Sequence, residues 1–73
     1  LTFYPNPTTG IVYLSAEENI NEVTLTDMQG RIVQTDVLDS ANGYLDYSTQ
    51  PQGVYQLIIK THSGQQTKRL LVN

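Results

Sequence analysis

The chain has no cysteine, no tryptophan, a single histidine and only four basic residues among its 73 positions. Without cysteine there is no disulfide to staple so small a fold and no thiolate to hold a structural metal. With one histidine and no clustering of His, Asp and Glu, no metal and no cofactor is expected. Glu17 and Glu18 are adjacent carboxylates on a polar stretch and read as solvated. Asp39 to Gly43 resembles a calcium loop only faintly, because the alternating oxygen ligands and the closing Glu are missing. No apolar run approaches the ~18–20 residues that a membrane-spanning helix needs, so no spanning segment is expected. The first residues lack the basic and apolar regions of a signal peptide. The chain therefore reads as one domain, residues 1–73, cut from a longer protein.

The shortage of basic residues, with a net charge of −3, argues against nucleic acid as a partner. The charges are unevenly placed. Residues 1–46 carry Arg31 alone against seven acids, whereas residues 47–73 carry Lys60, Lys68 and Arg69 and no acid. The basic end balances charge within one fold or offers a docking face to an acidic partner. Catalysis is not expected, because an enzyme needs a nucleophile, an acid–base pair or a metal converging in a pocket. His62 sits beside Ser63 in a turn, and sequence neighbours in an exposed turn do not make a dyad.

What the chain does have is strand-forming pattern punctuated by turn residues. Leu1 to Tyr4 reads as a short strand that Pro5 and Pro7 break, each proline lacking an amide donor. Ile11 to Ser15 is a second strand with Val12 and Leu14 inward, and Ala16 to Asn21 reads as a polar connection. Glu22 to Thr26 alternates with Val23 and Leu25 inward. Asp27-Met28-Gln29-Gly30 makes a turn, with Gly30 suited to positive φ. Arg31 to Leu38 returns as a strand. Asp39 to Gly43 reads as another turn, and Tyr44 to Ser48 as a short strand burying Tyr44 or Leu45. Thr49 to Gly53 follows, with a type I turn on Gln50 to Gly53.

The last stretch is the densest in apolar residues. Val54 to Lys60 and Gln65 to Val72 flank a short turn holding Ser63-Gly64, which predicts a β-hairpin. Tyr55, Leu57 and Ile59 share an apolar face, and Val54 and Ile58 make the other face apolar enough for a central strand. Leu70 and Val72 point inward and Leu71 outward. Lys68 shares the inward phase nearer the turn, where its stem can cover the core edge. Seven short strands and no helix predict an all-β, antiparallel, immunoglobulin-like β-sandwich. A chain this small buries only about 60% of its unfolded surface, so modest stability is expected.

Four pieces, in this order and spacing, carry a family resemblance. They are Tyr4-Pro5-Asn6-Pro7, Asp27-Met28-Gln29-Gly30-Arg31, Gly53-Val54-Tyr55 and Lys68-Arg69-Leu70-Leu71-Val72. Together they resemble the type A C-terminal sorting domain of the type IX (Por) secretion system of Bacteroidota, over essentially the whole chain. The resemblance implies a seven-stranded immunoglobulin-like sandwich at the end of a secreted cargo protein. It implies a signal that directs the cargo from the periplasm through the outer membrane to the cell surface or the medium. The implied partners are the outer-membrane secretion machinery and a surface sortase that removes the domain upstream of Leu1. By this resemblance the domain is a substrate and not an enzyme. Gly30 matches the family's turn glycine, Gly53 and Tyr55 its Gly-x-Tyr motif, Lys68 its near-terminal lysine, and Leu70, Leu71 and Val72 its apolar tail. Lys60 matches the lysine after the Gly-x-Tyr strand. Gly53, Tyr55, Lys68, Arg69, Leu70, Leu71 and Val72 are the residues expected to carry the signal, Lys68, Arg69 and the terminal aliphatics being those a receptor reads, with Gly30, Pro5 and Pro7 as turn formers.

Two other classes fit the same composition. One is a passive immunoglobulin-like spacer or adhesion module. The other is a carbohydrate-binding module that uses Phe3, Tyr4, Tyr13, Tyr44, Tyr47 and Tyr55. Core packing is the simpler expectation for these aromatics.

Overall fold

The computed structural model describes all residues 1–73 and contains five strands and no helix. The strands are β1 (Thr2–Tyr4), β2 (Ile11–Thr26), β3 (Ile32–Asp46), β4 (Gly53–Thr61) and β5 (Gly64–Val72). Every strand pairing is antiparallel, in agreement with the all-β antiparallel expectation. The path through the sheet is β1-β2-β4-β5, and β3 pairs with β2.

The count of five replaces the expected seven because two predicted breaks do not break the chain. β2 runs straight through Ala16 to Asn21, and β3 runs through Asp39 to Gly43. These two stretches lie against each other, with Ser15 opposite Asn42, Ile20 opposite Ser40 and Glu22 opposite Val37. Register shifts fall on both sides of Ile20. The residues that read as turns make paired bulges instead, which bend a strand without ending it. Asp39 takes a left-handed φ of 48° there, a conformation Asp tolerates better than most residues. Its carboxylate accepts a hydrogen bond from Asn19 Nδ2 at 2.9 Å. Gly43 is needed for a different reason than a turn. The Leu38 side chain lies over it, and a Cβ at position 43 would meet Leu38 Cδ1 at 2.6 Å.

The bulges curl the sheet. The first part of β2 is flanked by β1 and the end of β3, and the second part by the start of β3 and by β4. Both parts face one core of 12 residues, drawn from β2 through β5 and from Tyr47 just beyond β3. Alternation placed most of them: Val12, Leu14, Val23, Leu25, Tyr55, Leu57, Ile59, Leu70 and Val72 are all buried. Of the pair Tyr44 and Leu45, Leu45 is the buried one. Ile20 and Tyr47 also enter the core, though the first lies in the presumed polar connection. Burying side chains of this size is worth roughly 1.5–3 kcal/mol each, which makes these positions decisive in so small a domain.

The turns follow local chemistry. Gly30 N donates to the Asp27 carbonyl, and Asp27 Oδ1 accepts from the amides of Gln29 and Arg31 at 2.9 and 3.0 Å. Gly30 has φ of +86° with no heavy atom near its missing Cβ, so its role is conformational. The hydrogen-bonded turn after β3 spans Tyr47 to Gln50, three residues before the expected position, where the Asp46 carboxylate accepts from Ser48 N at 2.9 Å and Gln50 N donates to the Tyr47 carbonyl at 3.0 Å. β4 and β5 form the expected hairpin, with Thr61 opposite Gly64 around His62 and Ser63. β4 lies between β2 and β5, the central place expected from its apolar residues.

Candidate functional site

The charged and apolar residues near the end of the chain lie on β5, and β5 is held from both sides. On one side β4 pairs with it from Gly53 opposite Val72 to Thr61 opposite Gly64. On the other, a clasp from the segment between β1 and β2 covers only its last residues. Asn6 Nδ2 donates to the Arg69 carbonyl and Leu71 N donates to Asn6 Oδ1, both at 3.0 Å. Thr8 N then donates to the Leu71 carbonyl at 2.9 Å, and Asn73 N donates to the Thr8 carbonyl at 2.8 Å. Thr8 and Val72 form a parallel bridge.

The sequence explains why a side chain takes part. Pro5 and Pro7 have no amide hydrogens, so the backbone at those positions cannot donate to a strand edge. Asn6 between them carries a carboxamide with the same donor and acceptor as a peptide group. It therefore substitutes for a strand residue. Thr8 resumes backbone pairing and is itself buried, its Oγ1 donating to the Ile11 carbonyl at 2.7 Å and accepting from Gly10 N at 3.0 Å. The prolines are thus part of a clasp on β5 as well as a break after β1. The position of Asn between two prolines was the signal in the sequence for this role, and sequence reading passed over it.

Side-chain direction divides the terminal residues. Tyr55, Leu70 and Val72 are buried, and the Tyr55 hydroxyl donates to the Pro51 carbonyl, fixing the entry into β4. Arg69 is exposed opposite Gln56, and Leu71 is half-buried opposite Val54. Lys68 is half-buried opposite Leu57. Neither Lys68 nor Arg69 forms a salt bridge, whereas Lys60 pairs with Glu22 at 3.0 Å and Arg31 with Asp27 at 2.7 Å. Two cations on the last strand are therefore uncompensated, in a domain of net charge −3.

The other end of the hairpin is tied by a carboxylate. Glu18 accepts from Ser63 Oγ at 2.6 Å, and this hydrogen bond, reinforced by Thr61, holds its carboxyl below the usual range. Asp27 is lowered by the Arg31 amide first and then by the Arg31 side chain, and Asp46 by Ser48. Burial pushes the Tyr47 hydroxyl well above the usual tyrosine range, and the hydroxyl finds no partner in the core. His62 is exposed in its turn. No helix is long and apolar enough to cross a membrane.

The aromatics separate into two groups. Tyr47 and Tyr55 are core residues and Phe3 packs against the core. Tyr4, Tyr13 and Tyr44 are exposed. Core packing, the simpler expectation from sequence, does not account for those three.

A family model described as secretion system C-terminal sorting domain matches residues 2–73. No curated protein matches the chain.

Proposed function

The chain belongs to the secretion system C-terminal sorting domain family, and from that premise we propose how this fold carries the signal. The family is the sorting signal of the type IX secretion system, so the domain marks its cargo for export to the cell surface or the medium. The proposal is that the signal is the outward surface of β5 together with the adjoining row of β4. Arg69 and Leu71 supply the charge and the apolar contact, Val54 and Gln56 extend the surface, and Lys68, opposite Leu57, adds a second cation from the other face of β5. Tyr55, Leu70 and Val72 act beneath it by holding β5 in place, and Gly53 opens β4 opposite Val72.

The observation that carries this reading is the double anchoring of a strand whose two cations have no acidic partner. An extended basic strand held rigid loses little conformational freedom on docking, which favours recognition by a receptor. Complementary acidic groups on that receptor supply specificity and rate. The partners in this reading are the outer-membrane secretion machinery, reached from the periplasm, and a surface sortase that removes the domain after passage. The curled sheet is read as an immunoglobulin-like sandwich in which β2 and β3 each serve both layers.

The test is a fusion of this domain to a periplasmic reporter, in hosts with and without the secretion system. The expected result is surface display only where the system is present. Arg69→Ala and Lys68→Ala are expected to reduce display while changing stability by no more than about 0.5 kcal/mol, as is usual for surface substitutions. Normal display of both variants would overturn the assignment of the signal to β5. Deleting Leu70 to Asn73 is a poorer test, because it removes two core residues and the clasp along with any docking surface.

A further inference from the structure

The exposed tyrosines are not scattered. Register places Tyr4 opposite Tyr13 and Tyr13 opposite Tyr44, so the three form one row across β1, β2 and β3. The next row on the same face is Thr2, Ser15 and Asn42, also in direct register. Residues two apart on a strand share a face, so both rows point away from the core that Val12, Leu14 and Leu45 enter. Tyr4, Tyr13 and Tyr44 are 56%, 47% and 63% exposed. The ring centroids of Tyr4 and Tyr13 are 5.5 Å apart with planes at 27°, and those of Tyr13 and Tyr44 are 6.4 Å apart at 49°. Stacking of this kind supports the sheet, yet it leaves about half or more of each tyrosine exposed.

The three tyrosines, Ser15 and Asn42 line a shallow groove of about 430 Å³ together with Leu14 and Gly43, and none of these residues is charged. Ser15 Oγ donates to Asn42 Oδ1 at 2.9 Å, which fixes the Asn42 amide with its nitrogen free to donate outward. The face thus sets an aromatic row beside a row of neutral hydroxyl and amide groups, with Ile11 and Asp46 in the row on the far side of the tyrosines.

We propose that this face binds a neutral polysaccharide. A pyranose ring has an apolar C–H face and a rim of hydroxyls. The tyrosine row packs against the first, and the Ser15–Asn42 row hydrogen-bonds the second. The absence of charge selects against anionic and cationic ligands, which would lose their hydration here without gaining a counter-charge. Recognition of an extended peptide by strand addition needs an unpaired edge and not a face, so that mode does not use this groove. The proposal does not depend on what reads β5, since the groove is lined by no residue of β4 or β5.

The test is a titration of the 73-residue domain, followed by amide chemical shifts, with cellohexaose, maltohexaose and mannohexaose as neutral probes and an oligogalacturonate as an anionic one. The expected result is saturable shifts with at least one neutral probe, confined to the region of Tyr4, Tyr13, Ser15, Asn42 and Tyr44. Tyr44→Ala and, separately, Tyr4→Ala are expected to weaken that binding about tenfold, a change of about 1.4 kcal/mol, with the shifts elsewhere in the domain unchanged. The proposal is overturned if no neutral probe shifts these residues, if the anionic probe binds more tightly, or if neither variant weakens binding. It is also overturned if the same residues shift on diluting the domain alone, which would make the face a contact between two copies of this chain.

Discussion

At the scale of single residues, the most informative side chain is Asn6. Its carboxamide replaces a peptide group on the edge of β5, giving and taking one hydrogen bond each with Arg69 and Leu71. Asn6→Ala is expected to cost about 1–2 kcal/mol, the usual net value of two such bonds at a partly solvated site. Denaturant unfolding measures that loss, and hydrogen exchange at the Leu71 amide should speed up more than at the amides of β2. Unchanged protection at Leu71 would show the clasp to be idle. Asp27 has a role with a pH signature. Its carboxyl is depressed in the folded state, so the stability it contributes is present above its unfolded pKa of about 3.9 and is lost as pH falls through the folded value. Asp27→Asn should therefore be less stable than the parent at pH 7, and the two should converge as the pH is taken below about 4. Thermal melts across that range decide the point, and a gap of constant size would contradict it.

At the scale of elements, the bulged middle of β2 decides the architecture. Ala16 to Asn21 holds two carboxylates and two asparagines, which is why it reads as a loop. Its backbone instead pairs with β3, and Ile20 is driven to full burial between the register shifts. Ile20→Ala is expected to cost roughly 2–5 kcal/mol, as for a buried Ile in a well-packed core. A loss below about 0.5 kcal/mol, typical of an exposed loop position, would show that the strand is not continuous there. The final hairpin behaves differently. Its alternation, its turn and its central place were all legible, because Tyr55, Leu57 and Ile59 line the buried face of β4 and its β-forming residues pair on both edges.

At the scale of the whole molecule, folding and recognition are assigned to interleaved residues of the same strands. A domain of 73 residues has a total stability of roughly 4–11 kcal/mol at 0.05–0.15 kcal/mol per residue. Tyr55→Ala removes a buried ring and its hydrogen bond to Pro51, at roughly 3–5 kcal/mol, and is expected to abolish export by unfolding the domain. Arg69→Ala is expected to reduce export with the fold intact. Measuring Tm and surface display on both variants separates the two roles, and a parallel loss of stability in Arg69→Ala would erase the distinction. By itself the sequence determined the all-β class, the inward positions on most strands, the Asp27–Arg31 turn and the family motifs. It could do so because alternation and turn chemistry act over a few residues. Only the tertiary structure decided that two stretches of turn-forming residues are bulges, that Asn6 and Thr8 clasp β5, and that three tyrosines align on an outer face. Each of those depends on register between strands far apart in the chain, and no local pattern of residue types records which partner a strand will meet.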